Sequence, residues 1–373
     1  MVPNNRTHRC QGFFPYARIV ETTDLLQETK GETMFERYSR QTLFGPIGQE
    51  GQKRLQAATV LVVGCGALGT VLANNLCRAG VGHLVIADRD YIELNNLQRQ
   101  ILFDENDVVR HLPKAVAAAE RLRRVNSDVK IDALVEDIHA DGIESLVREA
   151  DLVLDATDNF ETRYLLNDVC NKHQRPWIYS GVIASYGTTM NIIPGDTPCL
   201  RCVFPEMPLP GTTPTCDTAG VLNGIVSVIA SIASTETLKI LLKSEKISRA
   251  MLWMDLWENT VERIELPRQP DCPCCGQHQY DFLVSLSSTN STSLCGRNAV
   301  QVRGNIGQVS SKLDFPALAG RLRTVGKVHY NEFLLRFQVD DYDITVFPDA
   351  RAIIKGTDDP QVARSVYARY IGM

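Results

Sequence analysis

Hydrophobic and polar positions change period several times along the chain, and each change marks an element. Residues 1–33 follow neither a helical nor an extended period and are rich in threonine, asparagine and charge, so they read as a flexible extension. Regular patterning begins at "FERYSRQ" (35–41), runs into a helix through Gln52 to Gln56, and continues as "ATVLVVG" (58–64), a buried strand closing on a glycine turn. "GTVLANNLCRAG" (69–80) returns to helical spacing. The strand "HLVIADRD" (83–90), a polar loop, a helix over Lys114 to Arg124, and the strands "KIDALVE" (130–136) and "DLVLDATD" (151–158) follow. Strands alternating with helices predict an α/β fold, a doubly wound, Rossmann-like, mostly parallel sheet.

Farther on, Ala219 to Thr235 is weakly polar but broken by Asn223, Gly224 and serines, and reads as a buried helix shorter than the roughly 20 residues of a membrane span. At "LVSLSSTNSTS" (283–293) serine and threonine dominate and the apolar period is lost, which predicts a linker. Beyond it "FLLRFQVDDYDITVFPDARAIIKG" (333–356) alternates like two or three short strands, and "DDPQVARSVYARYIG" (358–372) opens with a helix-starting Asp-Asp-Pro. The expected organisation is an extension (1–33), an α/β domain (34–280), a linker (281–294) and a small α+β module (295–373). For 373 residues, one large domain plus a small one is the natural division.

Composition adds exclusions. With 44% hydrophobic and 22% charged residues the chain can pack an ordinary core, and a net charge of -5 without a basic block argues against nucleic acid and membrane surfaces as partners. The first residues lack the apolar run of a signal peptide, so a cytoplasmic protein is expected. Eleven cysteines in such a chain point to metal binding, catalysis or burial rather than disulfides.

The chemistry starts at "VLVVGCGALG". Gly64, Gly66 and Gly69 stand in G-x-G-x-x-G spacing between a strand and a helix, where backbone N–H groups and the helix N-terminus can receive phosphate. Asp88 closes the next strand, where a carboxylate accepts hydrogen bonds from ribose hydroxyls. The spacing alone does not choose between a dinucleotide and ATP. "YIELNNLQRQILF" does favour polyphosphate, because Asn95, Asn96, Gln98, Arg99 and Gln100 crowd amides and a guanidinium into one loop. Lys114 after Pro113 adds a cation at a helix start, a solvated surface lysine being the alternative. In "VLDATDNFETR", Asp155, Asp158 and Asn159 follow a strand at the carboxyl edge of the sheet; Asp158 suits magnesium, or else caps a helix.

Taken in order, "RYSRQ", "GCGALG", "NNLQRQ", "DATDN", "CLRC", "TCDTAGVL" and "CPCCG" resemble the ubiquitin-activating superfamily in its bacterial ThiF, MoeB and HesA form, over residues 34 to 280. The resemblance implies ATP- and magnesium-dependent adenylation of the C-terminal glycine of a small ubiquitin-like sulfur-carrier protein ending in Gly-Gly. Residue by residue, it implies a ribose contact for Asp88, phosphate contacts for Asn95, Asn96, Gln98, Arg99 and Lys114, magnesium for Asp158, and a nucleotide contact for Asn159. Arg40 resembles the arginine that reaches into the partner subunit's ATP site, implying a homodimer, and a cysteine desulfurase or other sulfur donor would act afterwards. Ala67 stands where many relatives carry another glycine.

Cys199 with Cys202 and Cys272 with Cys275 form two C-x-x-C pairs with the spacing of a closed tetrahedral zinc site, buried free thiols being the alternative. The pairing of Cys272 with Cys275 follows the family's C-x-x-C-G pattern and leaves Cys274 spare. Cys216, after the proline- and threonine-rich "PEMPLPGTTPT", resembles the cysteine that links covalently to the carrier as thioester or persulfide; an inert loop cysteine is the alternative. Cys65, Cys77 and Cys170 read as packing residues, and His111 is the one histidine beside the phosphate region. The tail is too short, and its cysteine, Cys295, too early, for a rhodanese domain. Two other functions share the fold: a nicotinamide-dependent oxidoreductase using the same glycine loop, and a noncatalytic binding subunit, against which Arg40, Arg99, Lys114 and Asp158 all count.

Overall fold

A computed structural model of the chain describes residues 36–208, 216–285, 291–294, 298–303 and 313–372. The extension 1–33 and Cys295 therefore lie outside the described residues.

Eight strands form the larger sheet: β1 (Thr59–Val63), β2 (His83–Ala87), β3 (Lys130–Leu134), β4 (Leu152–Asp155), β5 (Trp177–Ile183), β6 (Tyr186–Ile192), β7 (Met251–Asp255) and β8 (Thr260–Ile264). Their order is β3-β2-β1-β4-β5-β6-β7-β8, parallel from β3 through β5 and antiparallel beyond. β1, "TVLVV", shows why: a run of β-branched and leucine residues buried on both faces belongs in a covered parallel sheet. Val60 and Val62 pack under the helices Ala67–Ala79, Lys114–Val125 and Asn223–Leu241, while Leu61 and Val63 pack under Ala140–Glu149 and Phe160–Lys172. The strand order reverses direction between β1 and β4, so the loops after these two strands open side by side at the carboxyl edge, the usual ligand position in such sheets.

Sequence periodicity misses the helices Ala140–Glu149 and Phe160–Lys172 and the β5–β8 meander, while the helix expected at Ala219 to Thr235 runs from Asn223 to Leu241. That last helix is apolar and long enough to cross a membrane, yet Ile225, Val226, Ile229, Ala230 and Ala233 are buried in the core beside the helix Ala67–Ala79.

The C-terminal module is an antiparallel sheet of β9 (Ser291–Leu294), β10 (Ala299–Arg303), β11 (Lys327–Tyr330), β12 (Leu335–Val339), β13 (Tyr342–Val346) and β14 (Arg351–Lys355), ordered β11-β12-β13-β14-β10-β9. Its helices Phe315–Leu322 and Pro360–Tyr370 share one core with Val300, Phe337, Ile344 and Ile354. The Asp359 carboxylate accepts from the Gln361 and Val362 amides and starts the last helix where Asp-Asp-Pro predicts it. The stretch 281–294, expected as a linker, carries structure at both ends. The helix Asp281–Ser285 packs Phe282 against Tyr164, the rings tilted with centroids 4.8 Å apart, and Ser291–Leu294 pairs with β10 as an edge strand. Short serine- and threonine-rich edges need backbone pairing rather than an apolar period, so their pattern is silent.

Candidate active site

The glycine turn follows from three different constraints. Gly64 has φ of +93°, and a Cβ there would lie 2.6 Å from the Ala156 carbonyl oxygen, on the loop after β4. Gly69 lets the helix Ala67–Ala79 approach the turn: its Cβ would lie 2.0 Å from the Gly64 oxygen. Gly66 is different, because the nearest atom to a Cβ there is Gln100 Nε2 at 3.9 Å, which leaves space above the helix N-terminus for a ligand. Ala67 simply begins that helix, and its φ is not in the left-handed region, so its methyl group costs the turn nothing.

Asp88 ends just past β2 with one carboxylate oxygen accepting from the Cys65 amide at 2.6 Å and the other from the Asp90 amide at 2.7 Å. Desolvation pushes its carboxyl up, and the Lys114 ammonium opposes that shift. Lys114 is only 5% exposed and its Nζ lies 3.1 Å from Asp90, so the alternative of a solvated surface lysine is excluded. The next loop closes on a 3₁₀ turn, Leu94–Asn96, with Glu93 and Asn96 capping each other. Asn96 is buried and bonds Asn95, Arg99 Nη1 donates to the Asn95 carbonyl at 2.9 Å, and Asn95 and Gln98 are exposed. Gln100 is buried, and its Oε1 has no hydrogen-bond partner among the described residues. A buried amide with an unpartnered oxygen, beside the open face of Gly66, fits a nucleotide in this cleft.

On the β4 side Asp158 is exposed in the loop between β4 and the helix Phe160–Lys172. The helix cap falls to Asn159, whose Oδ1 accepts the Thr162 amide at 2.8 Å, so Asp158 is not the cap residue. Asp155, at the same edge, faces inward. It is buried, accepts from the Thr157 amide and hydroxyl at 2.9 and 2.7 Å, and pairs with Arg163 Nε at 3.1 Å. Arg163 Nη2 also donates to the Thr157 carbonyl at 2.7 Å, so this buried pair shapes the turn that presents Asp158. Arg163 is a functional residue without a sequence motif: its partner Asp155 lies eight residues earlier, across the loop that begins the helix.

Two candidates stand apart from the cleft. Arg40 is exposed on the helix Ser39–Thr42, whose Gln41 donates to the Ala79 carbonyl at 2.8 Å. That is the far end of a 13-residue helix from the glycine turn, about 20 Å away at 1.5 Å per residue. Cys216 begins the helix Cys216–Ala219, and residues 209–215 before it lie outside the described residues. The His111 ring lies 6.2 Å from that of His329 in the C-terminal module.

Cys199, Cys202, Cys272 and Cys275 converge, with all four sulfurs within 4.8 Å of one another. The Cys199–Cys272 and Cys202–Cys275 separations of 3.5 and 3.4 Å are too long for disulfides and near the roughly 3.8 Å edge of a tetrahedron with 2.3 Å zinc–sulfur bonds. The cluster ties the segment after β6 to the segment after β8. Cys274 does not join it. Its buried sulfur accepts from Asn167 Nδ2 at 3.1 Å, and Asn167 Oδ1 accepts the Leu200 amide at 2.9 Å, so one asparagine fastens both knuckles to the helix Phe160–Lys172. Burial pushes the neighbouring Asp168 carboxyl up to about 6. Cys65, Cys77 and Cys170 are buried packing residues, as expected.

The ThiF family model matches residues 38–274. The chain is 44% identical over 339 residues to the sulfur carrier protein ThiS adenylyltransferase of Bacillus subtilis, covering 90% of this chain and 99% of that protein. It is 38% identical to the SAMP-activating enzyme E1 of Haloferax volcanii, covering 70% of this chain and 96% of that one. Crystal structures of Escherichia coli MccB share the fold, one of them at a TM-score of 0.56 and 24% identity over 64% of this chain and 74% of that chain.

Proposed function

Because the chain belongs to the ThiF family, we propose that it adenylates a small ubiquitin-like sulfur-carrier protein ending in Gly-Gly. The observation that carries this reading is the convergence of the glycine turn, Asp88, Lys114 and the Asp158 loop at one edge of the sheet, between β1 and β4. In the reaction the carrier's terminal carboxylate attacks the α-phosphorus of ATP; an acyl–phosphate bond forms, the α–β bridge breaks, and pyrophosphate leaves.

Each residue then has a task. Gly66 and the helix behind it receive phosphate through N–H groups, and Asp88 takes the ribose hydroxyls. Lys114, Arg99, Asn95, Asn96 and Gln98 orient the phosphates and offset negative charge that builds up at phosphorus. Asp158 would hold magnesium, which would supply positive charge to offset that of the departing pyrophosphate. Asn159, occupied as a cap, fixes the loop that carries Asp158. The helix bearing Arg40 is held at Ala79, the end of a 13-residue helix away from the glycine turn, so Arg40 would serve the ATP site of a second subunit, in keeping with a homodimer. The four-cysteine cluster would hold zinc in a structural role, and Cys216 would be the residue for a covalent link once a sulfur donor acts.

The Bacillus relative aligns along nearly its whole length, and its name favours a ThiS-type carrier. The dehydrogenase reading finds no counterpart among the relatives above. Exchange of labelled pyrophosphate into ATP, dependent on a ThiS-type carrier and lost when its last glycine is removed, is the expected result. No exchange with ThiS-type or MoaD-type carriers refutes the proposal.

A further inference from the structure

The strand β14, "RAIIK", alternates strictly. Ala352 and Ile354 enter the core of the C-terminal module, while Arg351, Ile353 and Lys355 face the large domain. On that outward face the strand lies along the segment Arg89–Glu93 with matching steps of two. Arg351 Nη1 and Nη2 donate to the Arg89 carbonyl at 3.2 and 3.3 Å; Ile353 shares a buried cluster with Tyr91; Lys355 pairs with Glu93. A second path joins the same places, since Arg351 donates to Gln301 Oε1 at 3.3 Å, Gln301 donates to Asp137, and Arg89 Nη1 donates to Asp137 at 3.0 Å. Arg351 is 2% exposed, so these bonds are shielded from water.

The gripped segment is the one from which the nucleotide residues hang. The Asp90 amide donates to the Asp88 carboxylate at 2.7 Å, its carbonyl accepts the Lys114 amide at 2.9 Å, and its carboxylate holds Lys114 Nζ at 3.1 Å. Tyr91 bridges to Pro113, immediately before Lys114, and Glu93 caps the turn carrying Asn96. The family match ends at residue 274, so the strand applied to this segment belongs to a part of the chain outside the shared domain.

We propose that the C-terminal module is a splint for the nucleotide site, in which Arg351 and Lys355 are positioning residues that hold Arg89–Glu93 and through it Asp88, Lys114 and Asn96. The proposal rests on the adenylation reading for its activity readout only; ATP binding tests it separately. In the full-length protein, Arg351→Met is expected to raise KM for ATP about tenfold, and Lys355→Met, at the rim, about threefold, each with kcat and the carrier's KM within twofold of the parent. Lys355→Arg, which keeps the pair with Glu93, restores the parental KM. The calorimetric Kd for magnesium–ATP moves by the same factors. A purely structural module would instead lower the folded fraction and leave KM alone. Should Arg351→Met fail to fold, the two Lys355 variants decide. Folded Lys355→Met with KM and Kd for ATP within 1.5-fold of the parent overturns the splint. A parent that binds ATP but never exchanges pyrophosphate refutes the adenylation reading while the Kd series still decides the splint; a parent that binds no ATP overturns both.

Discussion

Arg163→Met removes the guanidinium that holds the Asp158 turn from below, and its consequences can be worked from the geometry. Arg163 donates to Asp155 at 3.1 Å, to the Thr157 carbonyl at 2.7 Å and to the Ser180 carbonyl at 3.4 Å, between the rings of Phe160 and Tyr179 at 5.3 and 5.2 Å. Methionine keeps much of the apolar stem but leaves Asp155, at 0% exposure, without its cation. Stranding one member of a buried pair costs about 3–5 kcal/mol. At roughly 2–4 °C per kcal/mol for a domain of this size, the melting temperature falls by about 6–20 °C.

The loss depends on pH with a definite sign. Burial already pushes the Asp155 carboxyl up, and Arg163 is the largest influence pulling it back; without Arg163 it titrates higher still. A carboxyl raised in the folded state contributes stability that is fully present below its unfolded value of about 3.9 and is lost as pH rises through the folded value. The deficit of the variant is therefore largest near pH 8 and shrinks toward pH 5. Thermal unfolding of parent and variant at both values is the assay, with Arg163→Met/Asp155→Leu as the control that removes both charges and recovers part of the stability. A deficit below 1 kcal/mol, or one of equal size at both pH values, refutes the reasoning.

Gly69→Ala and Gly66→Ala are expected to separate fold from function. The first drives a Cβ to 2.0 Å from the Gly64 oxygen and lowers the melting temperature, while the second meets nothing within 3.8 Å, stays folded and loses ATP affinity; equal stability in the two would contradict the geometry. Cys272→Ser is expected to reduce zinc, measured by metal analysis, from one per chain to none, whereas Cys274→Ala keeps the metal and costs about 1–3 kcal/mol by leaving Asn167 Nδ2 unpaired in the core. Zinc lost in both variants would mean that Cys274 is a ligand. Asp158→Asn should bind the carrier but abolish pyrophosphate exchange, and retained exchange would remove Asp158 from the magnesium role.

How much was legible depended on the physical scale of each signal. β1, β2 and β4 and the helices after β1 and before β3 were readable because their apolar residues recur with one period inside one element. The helix Phe160–Lys172 shows no clear period although it is buried: the apolar run Tyr164, Leu165 and Leu166 is flanked by the equally buried Arg163, Asn167 and Asp168. The stretch 281–294 looked like a linker because edge strands are held by backbone bonds that carry no side-chain pattern. Lys114 looked ambiguous because a lysine's burial depends on Asp90, 24 residues away.

The sequence by itself determined the α/β class, the glycine turn, the cysteine spacing and the family resemblance, since all of these are patterns of residue type along the chain. Only the tertiary structure decided that β1 and β4 are neighbours, that Asp155 turns inward to Arg163 while Asp158 stays outside, and that Cys274 bonds Asn167. It also laid β14 along Arg89–Glu93, some 260 residues apart in the chain. Each of those contacts pairs groups across chain closures that local propensity does not encode, and their geometry is fixed only when the whole core packs.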